Sequence, residues 1–229
     1  MKTIGLLGGM SWESTVHYYQ IINEYVKNTL GGLHSAKIVL YSVEFDEIER
    51  CQSENRWDDA AAILIDASKA LERAGADFIL ICTNTMHKNY PAIQAGVGIP
   101  VIHIADATAD ALISGGVKKV ALLGTKYTMK EDFYKGILRD RGLEAVIPDD
   151  KDIDELNRII FEELCVGKIR EESRDYFRQV IVNLKEKGCE AVILGCTEIG
   201  MLINAENSAL PVFDTTIIHA EKAAGLALE

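Results

Sequence analysis

Short apolar runs ending in glycine or cysteine alternate along this chain with longer stretches that carry one apolar face. Lys2-Thr3-Ile4-Gly5-Leu6-Leu7-Gly8 and Lys118-Lys119-Val120-Ala121-Leu122-Leu123-Gly124 are two such runs, alike almost position by position. Each reads as a buried parallel strand entering a tight turn. A helical pattern follows each run. Ser11 is the predicted N-cap of a helix reaching about Lys27, and Thr128 with Glu131 reads as a T-x-x-E capping box on a helix closed by Gly142.

The repeat continues in the same order. A helix ending at Gly75 precedes the strand Phe78-Ile79-Leu80-Ile81, which runs into Cys82. A helix with Phe177, Val180, Ile181 and Leu184 on one face ends at Gly188, before the strand Ala191-Val192-Ile193-Leu194-Gly195, which runs into Cys196. From the strand-end glycine to the cysteine the chain advances 74 residues in the first copy and 72 in the second. An X-Pro-Val strand then follows in each, Ile99-Pro100-Val101-Ile102 and Leu210-Pro211-Val212-Phe213. Four matches in one order imply duplication. The expected fold is α/β, with two pseudo-symmetric lobes spanning residues 1–103 and 104–215, each a mainly parallel sheet flanked by helices. Ligands bind beyond the carboxyl ends of such strands. Gly8-Gly9-Met10-Ser11, Cys82-Thr83-Asn84-Thr85, Gly124-Thr125 and Cys196-Thr197-Glu198 are all strand-end segments, so the expected site is a cleft between the lobes.

Composition narrows the partners. The chain has 229 residues, 48% of them hydrophobic, and a net charge of −11 without a long basic run. That disfavours nucleic acid and anionic membrane surfaces. No apolar run approaches the roughly 20 residues that span a bilayer. The opening stretch Met1–Gly9 reads as strand and turn rather than as a signal peptide. Five cysteines without a CxxC motif suit reduced thiols, and a cytoplasmic protein is expected. Scattered His and Cys residues predict no metal site, and Gly8-Gly9 lacks the further glycines of a dinucleotide loop.

The two cysteines carry the chemistry. Each ends an apolar run and is followed at once by Thr. Backbone N–H groups in such turns are expected to lower a thiol pKa and could also hold a substrate carboxylate. A thiolate removing an α-proton from one face of a carbon, and a thiol returning one to the other, would invert its configuration with no cofactor. Cys165 and Cys189 read as packing residues, and Cys51 has no context of its own. His87 reads as a first-turn residue, and His103 and His219 as packing or polar contacts. Glu198 reads either as a helper to Cys196 or as a charge favoured at a helix start.

Gly8-Gly9-Met10-Ser11-Trp12-Glu13-Ser14-Thr15, Cys82-Thr83-Asn84-Thr85-Met86-His87 and Val192-Ile193-Leu194-Gly195-Cys196-Thr197-Glu198-Ile199 resemble the motifs of the cofactor-independent aspartate/glutamate racemase family, in particular its broad-specificity amino acid racemase branch. The likeness covers essentially the whole chain, including His34-Ser35-Ala36 and Pro211-Val212-Phe213-Asp214-Thr215. It implies a homodimer acting on a small amino acid, with Cys82 and Cys196 as paired catalysts and a C-terminal helix, about 216–229, packed back on the first lobe. It further implies substrate contacts from Met10, Ser11, Gln52, Thr83, Asn84, Thr85 and Thr197. Thr125 and Glu198 complete the candidate set from their strand-end positions. Of the basic residues that could grip a second carboxylate, Arg50 and Lys168 are the candidates. A neutral or broad substrate range is the alternative. Other readings on the same scaffold are a related isomerase or decarboxylase, a hydantoin racemase, and a non-catalytic amino-acid-binding protein.

Overall fold

The computed structural model describes residues 1–229, which divide into two compact units: Met1–Ile104 with Thr216–Glu229, and Ala105–Thr215.

In the first unit β1 (Thr3–Gly8) leads into α1 (Trp12–Leu30) and β2 (Lys37–Ser42). Then come α2 (Phe45–Ser53), α3 (Trp57–Arg73), β3 (Phe78–Ile81), a 3-10 turn (Thr85–Asn89), α4 (Tyr90–Gly96) and β4 (Val101–Ile102). The strands form a wholly parallel sheet in the order β2-β1-β3-β4. Side chains alternate across it, as a two-residue repeat requires. Ile4, Leu6, Phe78, Leu80 and Cys82 face one cluster, and Leu7, Ile79 and Ile81 face another that includes Ile48, Leu64 and Leu71 of α2 and α3. Burial on both faces is why these strands are apolar without polar alternation.

The second unit opens with α5 (Ile104–Ser114), whose first residue alone is counted with the first unit. The second unit continues with β5 (Lys119–Gly124), α6 (Lys126–Lys130), α7 (Asp132–Asp140), β6 (Glu144–Val146), α8 (Asp150–Glu162), a 3-10 turn (Leu164–Val166) and α9 (Glu171–Glu186). It closes with β7 (Ala191–Gly195), a second 3-10 turn (Thr197–Met201) and β8 (Val212–Asp214). Its sheet is again parallel, in the order β6-β5-β7-β8. The predicted apolar face of α9 is buried against the sheet with α8: Phe177, Val180, Ile181 and Leu184 share a cluster with Ile153, Leu156 and Ile160. From Thr215 the chain enters α10 (Thr215–Leu228), whose Ala220, Ala223, Ala224 and Ala227 pack with Tyr18, Ile22 and Val26 of α1 in the first unit.

The duplication is thus one of topology as well as of sequence. Gly75 and Gly188 close equivalent helices at φ 92° and 87°, where a side chain would be strained. The following backbone N–H reaches back in each case, Ala76 to the Leu71 carbonyl at 3.1 Å and Cys189 to the Leu184 carbonyl at 3.2 Å.

Two predicted helix ends differ. Helix α1 continues past Lys27 to Leu30, because Gly31 caps it by donating to the Lys27 carbonyl. The capping box on Thr128 and Glu131 does not form. Thr125 takes the N-cap and accepts from the Thr128 N–H at 3.4 Å, while Glu131 sits in the break between α6 and α7. A Thr three residues upstream meets the same spacing rule, and it stands where the strand ends.

Candidate active site

In a sheet of order 2-1-3-4 the connections leave β1 and β3 in opposite directions, and a crevice opens beyond their carboxyl ends. Gly8–Ser11 and Cys82–Thr85 occupy that point in the first unit. Gly124–Thr125 and Cys196–Glu198 occupy it in the second.

The turn after β1 is tightly made. Gly9 has φ 90°, and a Cβ there would lie 2.3 Å from the Val43 carbonyl oxygen. Its N–H donates to Thr15 Oγ1 at 2.9 Å, and that hydroxyl donates to the Ser11 carbonyl at 2.8 Å. Ser11 caps α1, its Oγ accepting from the Ser14 N–H at 3.3 Å. Ser14 Oγ in turn lies 3.4 Å from the Cys82 carbonyl oxygen, bringing the two strand ends together. Met10 is buried in the same cluster as Met86, and the Gln52 amide donates to Met86 Sδ at 3.0 Å. Met10, Ser11, Gln52 and the Cys82–Thr85 segment therefore converge.

The second unit is simpler. Cys196 Sγ donates to Glu198 Oε2 at 3.0 Å, and Thr197 Oγ1 donates to the same oxygen at 2.7 Å. Glu198 is buried, as is Thr125 at the neighbouring strand end. Glu198 thus touches the Cys196 thiol and also stands in the first turn of the 3-10 segment Thr197–Met201.

Register changes the view of the cysteines. In the first unit Gly5, Leu6 and Leu7 pair with Ile79, Leu80 and Ile81. In the second, Ala121, Leu122 and Leu123 pair with Val192, Ile193 and Leu194, and Gly124 with Gly195. Since Gly5 corresponds to Ala121, Ile81 corresponds to Leu194, Cys82 to Gly195 and Thr83 to Cys196. The expectation that the two thiols hold matching positions is therefore corrected by one residue. A one-residue shift sends a side chain to the other face. Cys82 accordingly points into the α1/α10 core with Leu80 and Ala220, fully buried, its thiol 3.8 Å from the Leu80 carbonyl oxygen. Cys196 packs on the α8/α9 side, and Thr83 is half-buried.

Neither thiol is activated in the way the turn motifs suggest. Burial pushes the Cys82 thiol far above its ordinary value. Burial also raises Cys196, and the negative charge of Glu198 adds to it. The Glu198 backbone N–H favours the thiolate but is outweighed. Both groups are thus neutral thiols at neutral pH in this state.

Arg50 and Lys168 both lie at the surface. Arg50 is paired with Asp46 at 3.0 Å across one helical turn, and Lys168 is exposed beyond α8. Cys51 and Cys189 are buried in the cores of their units and Cys165 packs against one. No group of three His, Cys, Asp or Glu side chains is arranged to hold a metal ion, and no helix is long and apolar enough to cross a membrane.

A feature that spacing did not reveal is a cluster of three buried histidines behind the Cys82 segment. His87 lies with its ring centroid 4.6 Å from that of His103 and 5.8 Å from that of His219, while Tyr90 and Tyr18 flank the group. The profile of the Asp/Glu/Hydantoin racemase family matches residues 7–223. The chain belongs to that family. Its membership makes it an isomerase of the racemase class. It is 24% identical to the broad specificity amino-acid racemase RacX of Bacillus subtilis, over 95% of both chains. Among solved structures it resembles a candidate Asp/Glu racemase from Yersinia pestis, at 54% identity and TM-score 0.93 over the whole of both chains. It also resembles an aspartate racemase homologue from Pyrococcus horikoshii, at 40% identity and TM-score 0.86 over the same full coverage.

Proposed function

We propose that this racemase-family chain inverts the α-carbon of small amino acids, with Cys196 as one acid/base group and the Cys82–Thr85 strand end supplying the other. The observation that carries the reading is the thiol of Cys196 at a sheet switch point in contact with the buried carboxylate of Glu198, at 3.0 Å. In one direction Glu198 accepts the thiol proton, and the Cys196 thiolate takes the α-proton. A C–H bond breaks, an S–H bond forms, and the electron pair delocalises into the substrate carboxylate. A proton is then delivered to the opposite face. The sequence motifs nominate Cys82 for that delivery. The strand register and its partial exposure favour the hydroxyl of Thr83, which gives its proton to carbon and regains one from solvent, while Glu198 releases to solvent the proton it took from the thiol. Asn84, Thr85, Thr125 and Thr197 are the proposed contacts to the α-amino and α-carboxylate groups.

The substrate range we propose is broader than acidic amino acids. Arg50 is turned to an aspartate at the surface and Lys168 is exposed, whereas Met10, Gln52 and Thr83–Thr85 are neutral. The test is incubation with a panel of L- and D-amino acids in D₂O. Deuterium uptake at Cα with loss of optical activity for neutral as well as acidic substrates is expected. No exchange with any amino acid overturns the racemase reading, and exchange with aspartate or glutamate alone overturns the broad range.

Glu198→Gln separates the two roles of the carboxylate. It is expected to lower kcat by about 10²-fold, the scale of a lost general base. Removing the charge at the same time lets the Cys196 thiol ionise more readily, so its alkylation by iodoacetamide at neutral pH should speed up. An unchanged kcat would leave Glu198 as a structural charge.

A homodimer is the proposed assembly. Trp12, Val16 and Tyr19 form an outward stripe on α1, 65%, 53% and 53% exposed. Such stripes on a soluble chain mark contact surfaces. Sedimentation should give twice the chain mass, and Val16→Glu should reduce it to one.

A further inference from the structure

We propose that His87 is a positioning residue, a neutral two-ended clamp that holds the Thr83 backbone in place for proton transfer. This rests on the reading of the Cys82–Thr85 strand end as part of the reaction site.

Hydrogen-bond chemistry fixes the state of the ring. His87 Nε2 lies 3.2 Å from the Ile104 N–H. A backbone amide can only donate, so Nε2 carries the lone pair and the proton is on Nδ1. That Nδ1–H then donates to the Thr83 carbonyl at 2.8 Å. One ring thus ties the residue after Cys82 to the backbone just beyond β4. Burial drives its pKa down to about 4, which keeps it neutral and preserves both bonds.

The surroundings enforce the arrangement. His219 has the opposite tautomer: Nε2 faces the Ile102 carbonyl at 2.9 Å and so must carry the proton, leaving Nδ1 to accept from the Tyr18 hydroxyl at 3.0 Å. His103 packs between the rings of His87 and Tyr90. Burial holds His219 at about 3 and His103 at about 2. Three neutral rings therefore brace one another across α1, β4, α10 and the 3-10 turn after β3. A residue that served only to fill space at position 87 would need neither bond, and Leu would do as well. A clamp needs the donor to the Thr83 carbonyl in particular, and an Asn side chain, whose amide nitrogen can take the place of Nδ1, can supply it.

The experiment compares His87→Leu with His87→Asn. For the clamp, His87→Leu should lower kcat by about tenfold or more with a smaller change in KM, as expected when a reacting group is displaced. His87→Asn should recover most of that loss. Equal kcat in the folded Leu variant and wild type overturns the proposal, and so does an Asn variant no better than Leu. A second arm does not depend on activity. In ¹⁵N-labelled wild-type protein, His87 should show a protonated Nδ1 and an unprotonated Nε2, and the N–H groups of Thr83–Thr85 should exchange faster in the Leu variant than in Asn. The opposite tautomer, or unchanged exchange, overturns the clamp. Absence of any racemase activity, with the NMR arm as expected, overturns the functional reading and leaves the clamp standing.

Discussion

Cys196→Ser abolishes racemisation, Thr83→Ala lowers it by at least about 10³-fold, and Cys82→Ala leaves most of it: that is the pattern expected from the strand register. The reason is geometric. Thr83 and Cys196 are each the second residue past the Ile81/Leu194 position, so their side chains leave equivalent strands in the same sense. Cys82, one residue earlier, is turned into the core beside Leu80 and Ala220. Truncating Cys82 creates a small cavity and a modest loss of stability, on the order of 1 kcal/mol, with the reacting groups still in place. Thr83→Cys sharpens the test, because it makes the two strand ends chemically alike and should keep or raise kcat. The measurement is α-proton exchange in D₂O from each enantiomer, with chirality read separately. Loss of activity in Cys82→Ala with near-normal activity in Thr83→Ala would restore the cysteine pair that the motifs suggest.

How legible this was in the sequence depends on the range of each signal. Six of the eight strands, three in each unit, rest on local patterns: apolar runs of four to six residues, glycines closing helices, and prolines before the last strands; the edge strands β2 and β6, exposed or half-buried, share no such run. Those patterns encode backbone preferences that tertiary contacts did not override. The one-residue offset between Cys82 and Cys196 was hidden because the counts of 74 and 72 residues pass through helices and loops of unequal length. Counting along a chain cannot fix which residue faces which side of a sheet, and only pairing to β1 and β5 does. The predicted capping box failed for a related reason, since Thr125 and Thr128 compete for one role and the strand end decides between them. The histidine cluster was the least visible feature. His87 and His219 lie far apart in the chain, and their shared surroundings arise only when α10 packs beside α1.

That cluster carries the second large effect, a steep loss of stability in mild acid. In the unfolded chain each histidine takes up a proton near pH 6.5. In the folded chain His87, His219 and His103 resist protonation down to about 4, 3 and 2, in each case chiefly because burial disfavours the charged ring. Below about pH 6.5 the unfolded state therefore binds more protons than the folded one, so stability falls as pH falls and is fully present only above that value. Each histidine contributes a slope approaching 1.4 kcal/mol per pH unit between its unfolded and folded pKa values. Three together could remove several kcal/mol by pH 5, against the roughly 5–15 kcal/mol that an ordinary domain possesses. The carboxylates lowered by surface ion pairs, such as Asp132 beside Arg139, titrate further into acid, and the pH 5–6.5 window belongs mainly to the rings. Urea midpoints measured from pH 8 to 4.5 should be flat above about pH 7 and drop sharply below about 6. His103→Phe can still pack between His87 and Tyr90 but cannot titrate, and should reduce the slope by about one proton. A flat profile across this range would mean that the rings are charged, or reached by water, in the folded protein.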